Sequence, residues 1–471
     1  MHFNQTAQLL ALYEENREKD KMKRIITVSL FVVLTVLQAA YSQEQGWTLE
    51  ECIDYALQNN IGLQRQALQS ENAGVNLAKS KMGMLPDLNF GTDARLGFGR
   101  SIDPVTNLIT FKQNISNSYS LNTSFTLFSG FAALNSISAN KFMVMAGMES
   151  EKVTRNTLIV EIMGQYYQVI YARGTEEAAR LQLEQSERQL ERISRMVETG
   201  REAVARKYEM ESQVSSDRLT WTVALNNANQ AVTALRQMLQ LEPDAEFDIL
   251  LPAMDQLLIR DTGFDADSIY GIASEVLPRL KAIEYELRSS EKQLAAAKGL
   301  LAPSISAGGS IFTGYYKVLG EESAGQISYG SQLRNNNSQS LYLTLRIPIF
   351  NNYSSYGTVK QARIRVEDDR LRLELEKNKL YTEIENACLS YNRGREEYLA
   401  AEANLMFNTK SFESVEKKFE SGLVDVTDYA AAKATLFSAG LEALRTRLQL
   451  LIRQLTIRFY STGEYEDIVY N

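Results

Sequence analysis

Four stretches of the chain alternate apolar and polar residues with a period of two. In the stretch from Leu88 to Arg100, Leu88, Phe90, Thr92, Ala94, Leu96 and Phe98 fall on one side, with Asn89, Gly91, Asp93, Arg95, Gly97 and Gly99 on the other. The stretches Tyr119 to Leu127, Ile305 to Thr313 and Leu341 to Ile349 behave alike. Such alternation predicts strands with one apolar face. Runs of about 9–13 residues are near the length a tilted membrane-spanning strand needs. Tyr119, Tyr315, Tyr316, Tyr329, Tyr342, Tyr353 and Tyr356 gather near the predicted strand ends, as an interfacial aromatic belt does. A half-buried sheet in a water-soluble domain shows the same alternation, so the pattern alone leaves both readings open. The connections Ser101 to Ser118 and Lys317 to Ser338 are long and polar and read as surface loops.

Elsewhere the polarity is helical. Of the seven prolines, none lies between Pro104 and Pro243 and none follows Pro348. Proline breaks helix interiors, so uninterrupted helix is allowed there. One helix is predicted over Phe131 to Val197 and another over Asn352 to Phe419, each roughly 100 Å long at ~1.5 Å per residue. Helices of this length persist by packing along their whole length. Leu183, Leu190 and Val197 recur at heptad spacing, and Leu441, Leu444, Leu448, Leu451 and Leu455 lay a second seam. Gly200 and Gly422 stand where the two long helices end, and glycine there permits the left-handed residue that stops a helix. Return helices follow, from about Ala205 to Leu241 and from Val426 to Tyr460.

These elements occur twice. Pro86 lies 25 residues after Ile61, and Pro303 lies 25 after Pro278; Phe128-Ser129-Gly130 answers to Phe350-Asn351-Asn352. Gly200 and Gly422 each follow their phenylalanine, Phe128 and Phe350, by 72 residues. The predicted plan is helix, strand, loop, strand, very long helix, turn, helix, in a first copy over residues 43–267 and a second over 268–471.

Residues 1–42 read as a secretory signal peptide: Lys21, Lys23 and Arg24, an apolar run from Ile25 to Leu37, then Ala40-Tyr41-Ser42. Met22, just before the basic residues, is the expected true start. Removing this segment takes away five basic and four acidic residues and leaves a net charge of −9. That acidity sets nucleic-acid binding aside. The single histidine, His2, lies in the segment, so the mature chain has no imidazole base, Ser-His or Cys-His pair, or histidine-held metal. No metal or cofactor is expected. Cys52 and Cys388 sit in helical patterns, and the sequence leaves their pairing open.

Four strands cannot close a barrel, and open edges in hydrocarbon cost several kcal/mol per unpaired backbone group. If the strands enter a membrane, they are shared between chains, eight in a dimer or twelve in a trimer.

The long hairpins, the duplication and the run Ile347-Pro348-Ile349-Phe350-Asn351-Asn352 resemble the TolC-like outer-membrane efflux proteins. So do Gly422-Leu423-Val424-Asp425-Val426-Thr427-Asp428-Tyr429 and Lys207-Tyr208-Glu209. The resemblance covers Trp47 to about Gly463. It implies a mainly α fold with a transmembrane β-barrel part: a homotrimer sharing a 12-stranded barrel in outer-membrane lipid, with helical hairpins forming an α-barrel in the periplasm. It implies a passive, non-enzymatic exit duct of a tripartite efflux pump or type I secretion system, joined by a periplasmic adaptor (membrane fusion) protein to an inner-membrane transporter. Thr48 to Asn60, Pro243 to Ser268 and the C-terminus correspond to the family's equatorial belt. The hairpin turns correspond to a tip that contacts the adaptor and constricts the pore. Gly200, Gly422, Tyr208 and Tyr429 match the turns, and Asp428 matches an acidic position lining the constriction. The second acid found there in some members is Ala431 here. Local chemistry offers another role: Asp425 as helix N-cap and Asp428 at the third helical position, near the positive helix end. The two tyrosines can pack the turn or touch the adaptor. The competing whole-chain reading is a periplasmic coiled-coil tether outside the membrane. A carboxylate enzyme has little support, since no acidic pair stands at a strand end or in a glycine-rich turn.

Overall fold

A computed structural model describes residues 46–102, 107, 109–242, 247–250, 263–320, 327–463 and 465. The signal peptide, Met22, His2, most of Pro243 to Ser268 and the last residues lie outside this set. The first copy runs α1 (Leu49–Asn59), α2 (Ile61–Met82), β1 (Asn89–Gly97), β2 (Ser101–Ile102), β3 (Ile109–Thr110), β4 (Asn114–Ser129), α3 (Ala132–Glu198) and α4 (Val204–Met238). The second runs α5 (Ala266–Val276), α6 (Pro278–Gly299), β5 (Ser304–Val318), α7 (Tyr329–Asn335), β6 (Ser338–Arg346), α8 (Ser354–Glu420) and α9 (Val426–Thr462).

The duplication holds to the residue in places. α1 and α5 have 11 residues each, α2 and α6 have 22, and α3 and α8 have 67. The expected opening helix of each copy is in fact two. Asn60 breaks the first, and its side chain accepts from Leu63 N to restart the helix. Leu277 breaks the second, with Pro278 at the first helical position. The strand-to-helix corners also match: Gly130 and Phe131 in one copy, Asn352 and Tyr353 in the other, all have φ between 52° and 67°. Gly130 is the only one of the four without a steric penalty there.

The four long strands form one antiparallel sheet in the order β1-β4-β5-β6. β4 starts at Asn114, five residues before the expected Tyr119, and β5 continues to Val318. β6 ends at Arg346, not at Ile349, because Pro348 has no N–H for a ladder. β1 pairs along Asn114–Asn122 of β4, while β6 pairs along Ser304–Phe312 of β5, so the two edge strands are staggered. Register puts Phe90, Leu121 and Ile311 on one face with Leu341, Leu343 and Leu345, and Leu341 is 93% exposed. The other face carries Ser118, Ser120, Asn122, Ser310 and Ser340; Ser310 and Ser340 hydroxyls are 2.9 Å apart. The connections are less irregular than expected. β2 and β3 make a short hairpin, and α7 folds over the free edge of β5, where Gln332 exchanges two 3.0 Å hydrogen bonds with the Tyr316 backbone. Tyr119 and Tyr342 stand inside strands rather than at their ends; Tyr119 and Tyr329 share a hydroxyl hydrogen bond of 2.8 Å.

The chain divides into two compact units that cut across the copies. One gathers residues up to Ala56, Ile162–Leu258 and Asn408–Leu444; the other gathers Leu57–Glu161, Ile259–Phe407 and the chain from Arg445. In the second unit the helices follow the strand order beneath the sheet. Gly147 of α3 admits Ser70 of α2, Phe142 of α3 stacks on Tyr285 of α6 at 6.3 Å, and Arg279 of α6 pairs with Glu376 and Glu383 of α8 at 2.9 Å. Its core joins Ala273 and Leu277 to Leu280, Leu380 and Ile384, and to Leu450 and Ile457 of α9. Ala443, Leu450 and Ile457 form a buried seam on α9 beside the expected Leu448 and Leu451, so this helix is covered on two sides.

Cys52 and Cys388 are both free and buried. Burial, then Glu51, pushes the Cys52 thiol up to about 12, and burial also raises Cys388. Neither thiol should react with a soluble disulfide reagent at pH 8 within minutes, and both should react after denaturation. Rapid labelling of the native protein would contradict this burial.

Candidate functional site

The two hairpin turns close with one backbone device. At the end of α3, Gly200 N donates to Val197 O at 3.0 Å and Arg201 N to Met196 O at 2.8 Å. At the end of α8, Gly422 N donates to Phe419 O at 3.0 Å and Leu423 N to Lys418 O at 2.9 Å. Both are Schellman caps. Gly200 and Gly422 supply the left-handed residue, at φ 70° and 72°. A methyl at either would meet nothing within 4 Å, so backbone conformation, not space, requires glycine.

The restarts differ. α9 has a side-chain cap: Asp425 Oδ1 accepts from Asp428 N at 2.8 Å. Asp428 is then the third helical residue and exposed, with its carboxylate near the positive helix end. Ala203, which precedes α4, makes no side-chain cap. Arg206 compensates: it pairs with Glu202 at 2.9 Å, donates to Val424 O at 2.6 Å and lies 5.1 Å over the Phe419 ring. Arg206 thereby ties the two turns together, with Arg192 donating to Glu420 O at 3.0 Å.

Tyr208 and Tyr429, paired in the sequence reading, part company. Tyr429 has no exposed surface; it stacks on Phe419 at 4.4 Å and packs on Phe412, Met210 and Ile193, with Val424 against the cluster. Its ring is taken up by packing within the turn. Tyr208 is 65% exposed. Tyr429 is the fourth residue of α9 and Tyr208 the fifth of α4, and one residue turns a helix by ~100°. The Tyr429 hydroxyl is buried without a hydrogen-bond partner, and burial raises its pKa. Tyr429→Phe should therefore leave thermal stability unchanged or raise it, by up to about 1–2 kcal/mol. A clear loss of stability would mean the hydroxyl has a partner.

About one turn further along α9 lies a site the sequence reading missed. Lys433, with a side chain 3% exposed, reaches Asp217 Oδ2 of α4 at 2.8 Å and Ser186 Oγ of α3 at 2.6 Å. Its third donor goes to Gln182 O. Asp217, equally buried, also accepts from Gln182 and Gln213 at 3.0 and 2.9 Å and from Ser186 at 2.6 Å. All three ammonium donors and both carboxylate oxygens are used. Burial lowers the Lys433 pKa, and Asp217 offsets part of that. The one visible signal was Lys433 as the lone charge in Ala430 to Phe437. Among the described residues no group of three or more His, Cys, Asp or Glu is placed to hold a metal. No described helix is long and apolar enough to cross a membrane, which says nothing of strands.

The model of the outer membrane efflux protein family matches residues 52–240 and 270–463, one segment per copy. Toxin and drug export protein A of Aggregatibacter actinomycetemcomitans is 21% identical over 428 residues, 88% of this chain and 86% of that one. The crystal structure of CusC, described as showing conformational changes that accompany folding and transmembrane channel formation, superposes with a TM-score of 0.73 at 17% identity, over 90% of this chain and 96% of that one. The Campylobacter jejuni CmeC outer membrane channel superposes at 0.72 and 14% identity, over 90% and 88%.

Proposed function

We propose, from a chain that belongs to the outer membrane efflux protein family and is an outer-membrane efflux or secretion duct, the following assembly and division of labour. Three copies close their four-stranded sheets into one twelve-stranded barrel. The observation that carries this is the sheet itself, with an apolar face most exposed on its edge strands, at Phe90, Leu341, Leu343 and Leu345, and with two edges, β1 and β6, that pair with no other described strand. Such a face is stable against acyl chains, and the edges are stable only when paired. A periplasmic tether would leave both unsatisfied. The helices extend the duct into the periplasm, where the turns at Gly200 and Gly422 form the tip, and Tyr208 and the exposed Leu423 meet a periplasmic adaptor. That adaptor links the duct to an inner-membrane transporter, which supplies the energy; the duct itself performs no catalytic step. Residues 43–267 and 268–471 act as the two halves of each wall segment.

At the tip, Asp425 caps α9 and Asp428 faces the pore axis. Three copies of Asp428 form a ring of like charges, which attracts cations and narrows the aperture. In planar bilayers Asp428→Asn should change single-channel conductance and weaken block by divalent cations. Unchanged conductance and block would reduce Asp428 to its role at the helix start. Failure of the wild-type protein to form channels at all would remove the duct.

A further inference from the structure

The short helix α7 lies on the apolar face of the sheet, the face that the duct reading turns to lipid. The Tyr329 hydroxyl donates to Asn117 Oδ1 at 2.7 Å and shares a 2.8 Å bond with the Tyr119 hydroxyl, and its ring is 4.7 Å from that of Tyr315. The Thr313 hydroxyl donates to Leu333 O. Asn117 pairs with Tyr315 and Tyr119 with Thr313, in the register that aligns Leu121 with Ile311, so all four share that face. Capping the free edge of β5 needs only Gln332 and Asn336, whose side chains reach the backbone of Tyr316 and Gly314. It accounts for neither the three tyrosines nor the charges beside them.

Ser129 pairs with Ser304 where β4 runs into α3 and β5 follows α6, so this pair marks the helix end of the sheet. Tyr119 stands about ten residues along β4 from Ser129, the length a tilted strand takes to cross the hydrocarbon. Beyond that level the face turns polar, with Asn117, Tyr315 and Lys317 around Ile115. Lys317 is the one charged residue on this face of the four strands. Arg334 is exposed and lies two residues past the buried Gln332, ~200° around α7, so it turns away from the sheet. Neither cation forms an ion pair with a described residue, and the chain from Ser328 to Arg346 has no acidic residue. Tyrosines with one wet end suit the boundary between acyl chains and headgroups. Unpaired lysine and arginine at that boundary suit phosphate oxygens. We propose that α7, with Tyr119, Tyr315 and Lys317, forms a site on the outer rim of the barrel for the phosphorylated headgroup of an outer-leaflet lipid. Lys317 and Arg334 meet its phosphates, and the tyrosines hold α7 at headgroup depth. This rests on the duct reading above, which puts the apolar face in lipid.

The test titrates the full-length protein, in a neutral detergent, with bisphosphorylated lipid A and counts bound lipid by native mass spectrometry. Lys317→Gln with Arg334→Gln should bind it about tenfold more weakly than the wild type or worse. Lys417→Gln with Lys418→Gln, two exposed positions near the end of α8, removes the same charge and should bind as the wild type does. Lipid A stripped of both phosphates should bind the wild type as weakly as the intact lipid binds the Lys317 and Arg334 variant. Equal binding by wild type and that variant would overturn the site, and so would displacement of the lipid by millimolar inorganic phosphate, which would mark a site for a free anion. A second measurement reads depth. In vesicles of lipids brominated on the upper acyl carbons, Tyr329→Trp should be quenched above the background of Trp47 and Trp221. If the protein forms channels and this variant is not quenched, α7 is out of the interface and the inference falls while the duct stands. If the protein neither enters vesicles nor forms channels, the duct falls and takes this inference with it.

Discussion

Lys433→Met should destabilise the hairpin region more than any other single substitution there, by about 3–5 kcal/mol. The reason is asymmetric. Burying Lys433 and Asp217 together is nearly balanced by their mutual attraction and by the hydrogen bonds of Ser186, Gln182 and Gln213. Removing the ammonium alone leaves a carboxylate 3% exposed with no counter-charge. Local amide exchange in α4 and α9 should accelerate by roughly two to three and a half powers of ten. The double substitution Lys433→Met with Asp217→Leu removes both charges and should recover more than half of the loss. If single and double variants lose equal protection, the pair is not the unit described here. Because the network joins α9 to both α3 and α4, its loss should show in all three helices and spare the sheet.

Leu121→Arg should nearly abolish the assembled protein in the outer membrane, while Ser120→Arg, one residue earlier on the same strand, should not. Leu121 lies between Phe90 and Ile311 on the apolar face; Ser120 lies between Gly91 and Phe312 on the other. An arginine facing hydrocarbon near mid-strand costs about 2–4 kcal/mol in each copy, multiplied through the ring. An arginine on the Ser-rich face meets water and should shift ion selectivity toward anions. Membrane yield and reversal potential measure the two outcomes. Equal yields for both variants would mean that the apolar face is not in lipid.

The contrast between those neighbouring residues was legible from alternation alone, as were the long helices and the glycines that end them. Period, proline spacing and the demand for a left-handed residue are local signals, and the strands and helices obeyed them. What escaped was set by neighbours distant in sequence. Asn114 to Ser118 read as loop because Ile115 is the one apolar residue among them, yet pairing with Gly314 to Val318 and with β1 makes them strand. Tyr208 and Tyr429 looked alike until one residue of helical phase separated an exposed ring from a buried one. Lys433 drew no reading from the sequence, since its partners Asp217 and Ser186 lie more than 200 residues away. Asp425 was legible as a cap because its partner is three residues on.

The stagger of β1 and β6 on their inner neighbours carries a last consequence for transport. β4 and β5 pair end to end, whereas β1 lies against one end of that pair and β6 against the other, so a wall closed through those edges would hold its strands at a slant. Rows of paired residues such as Asn122, Ser310 and Ser340 then wind round the bore as a screw thread and never stack into level hoops. In such a wall a solute passing outward would meet hydroxyl and amide groups along a spiral, broken by the rings of Phe312 and Tyr342 on the same face, instead of crossing a set of level rings.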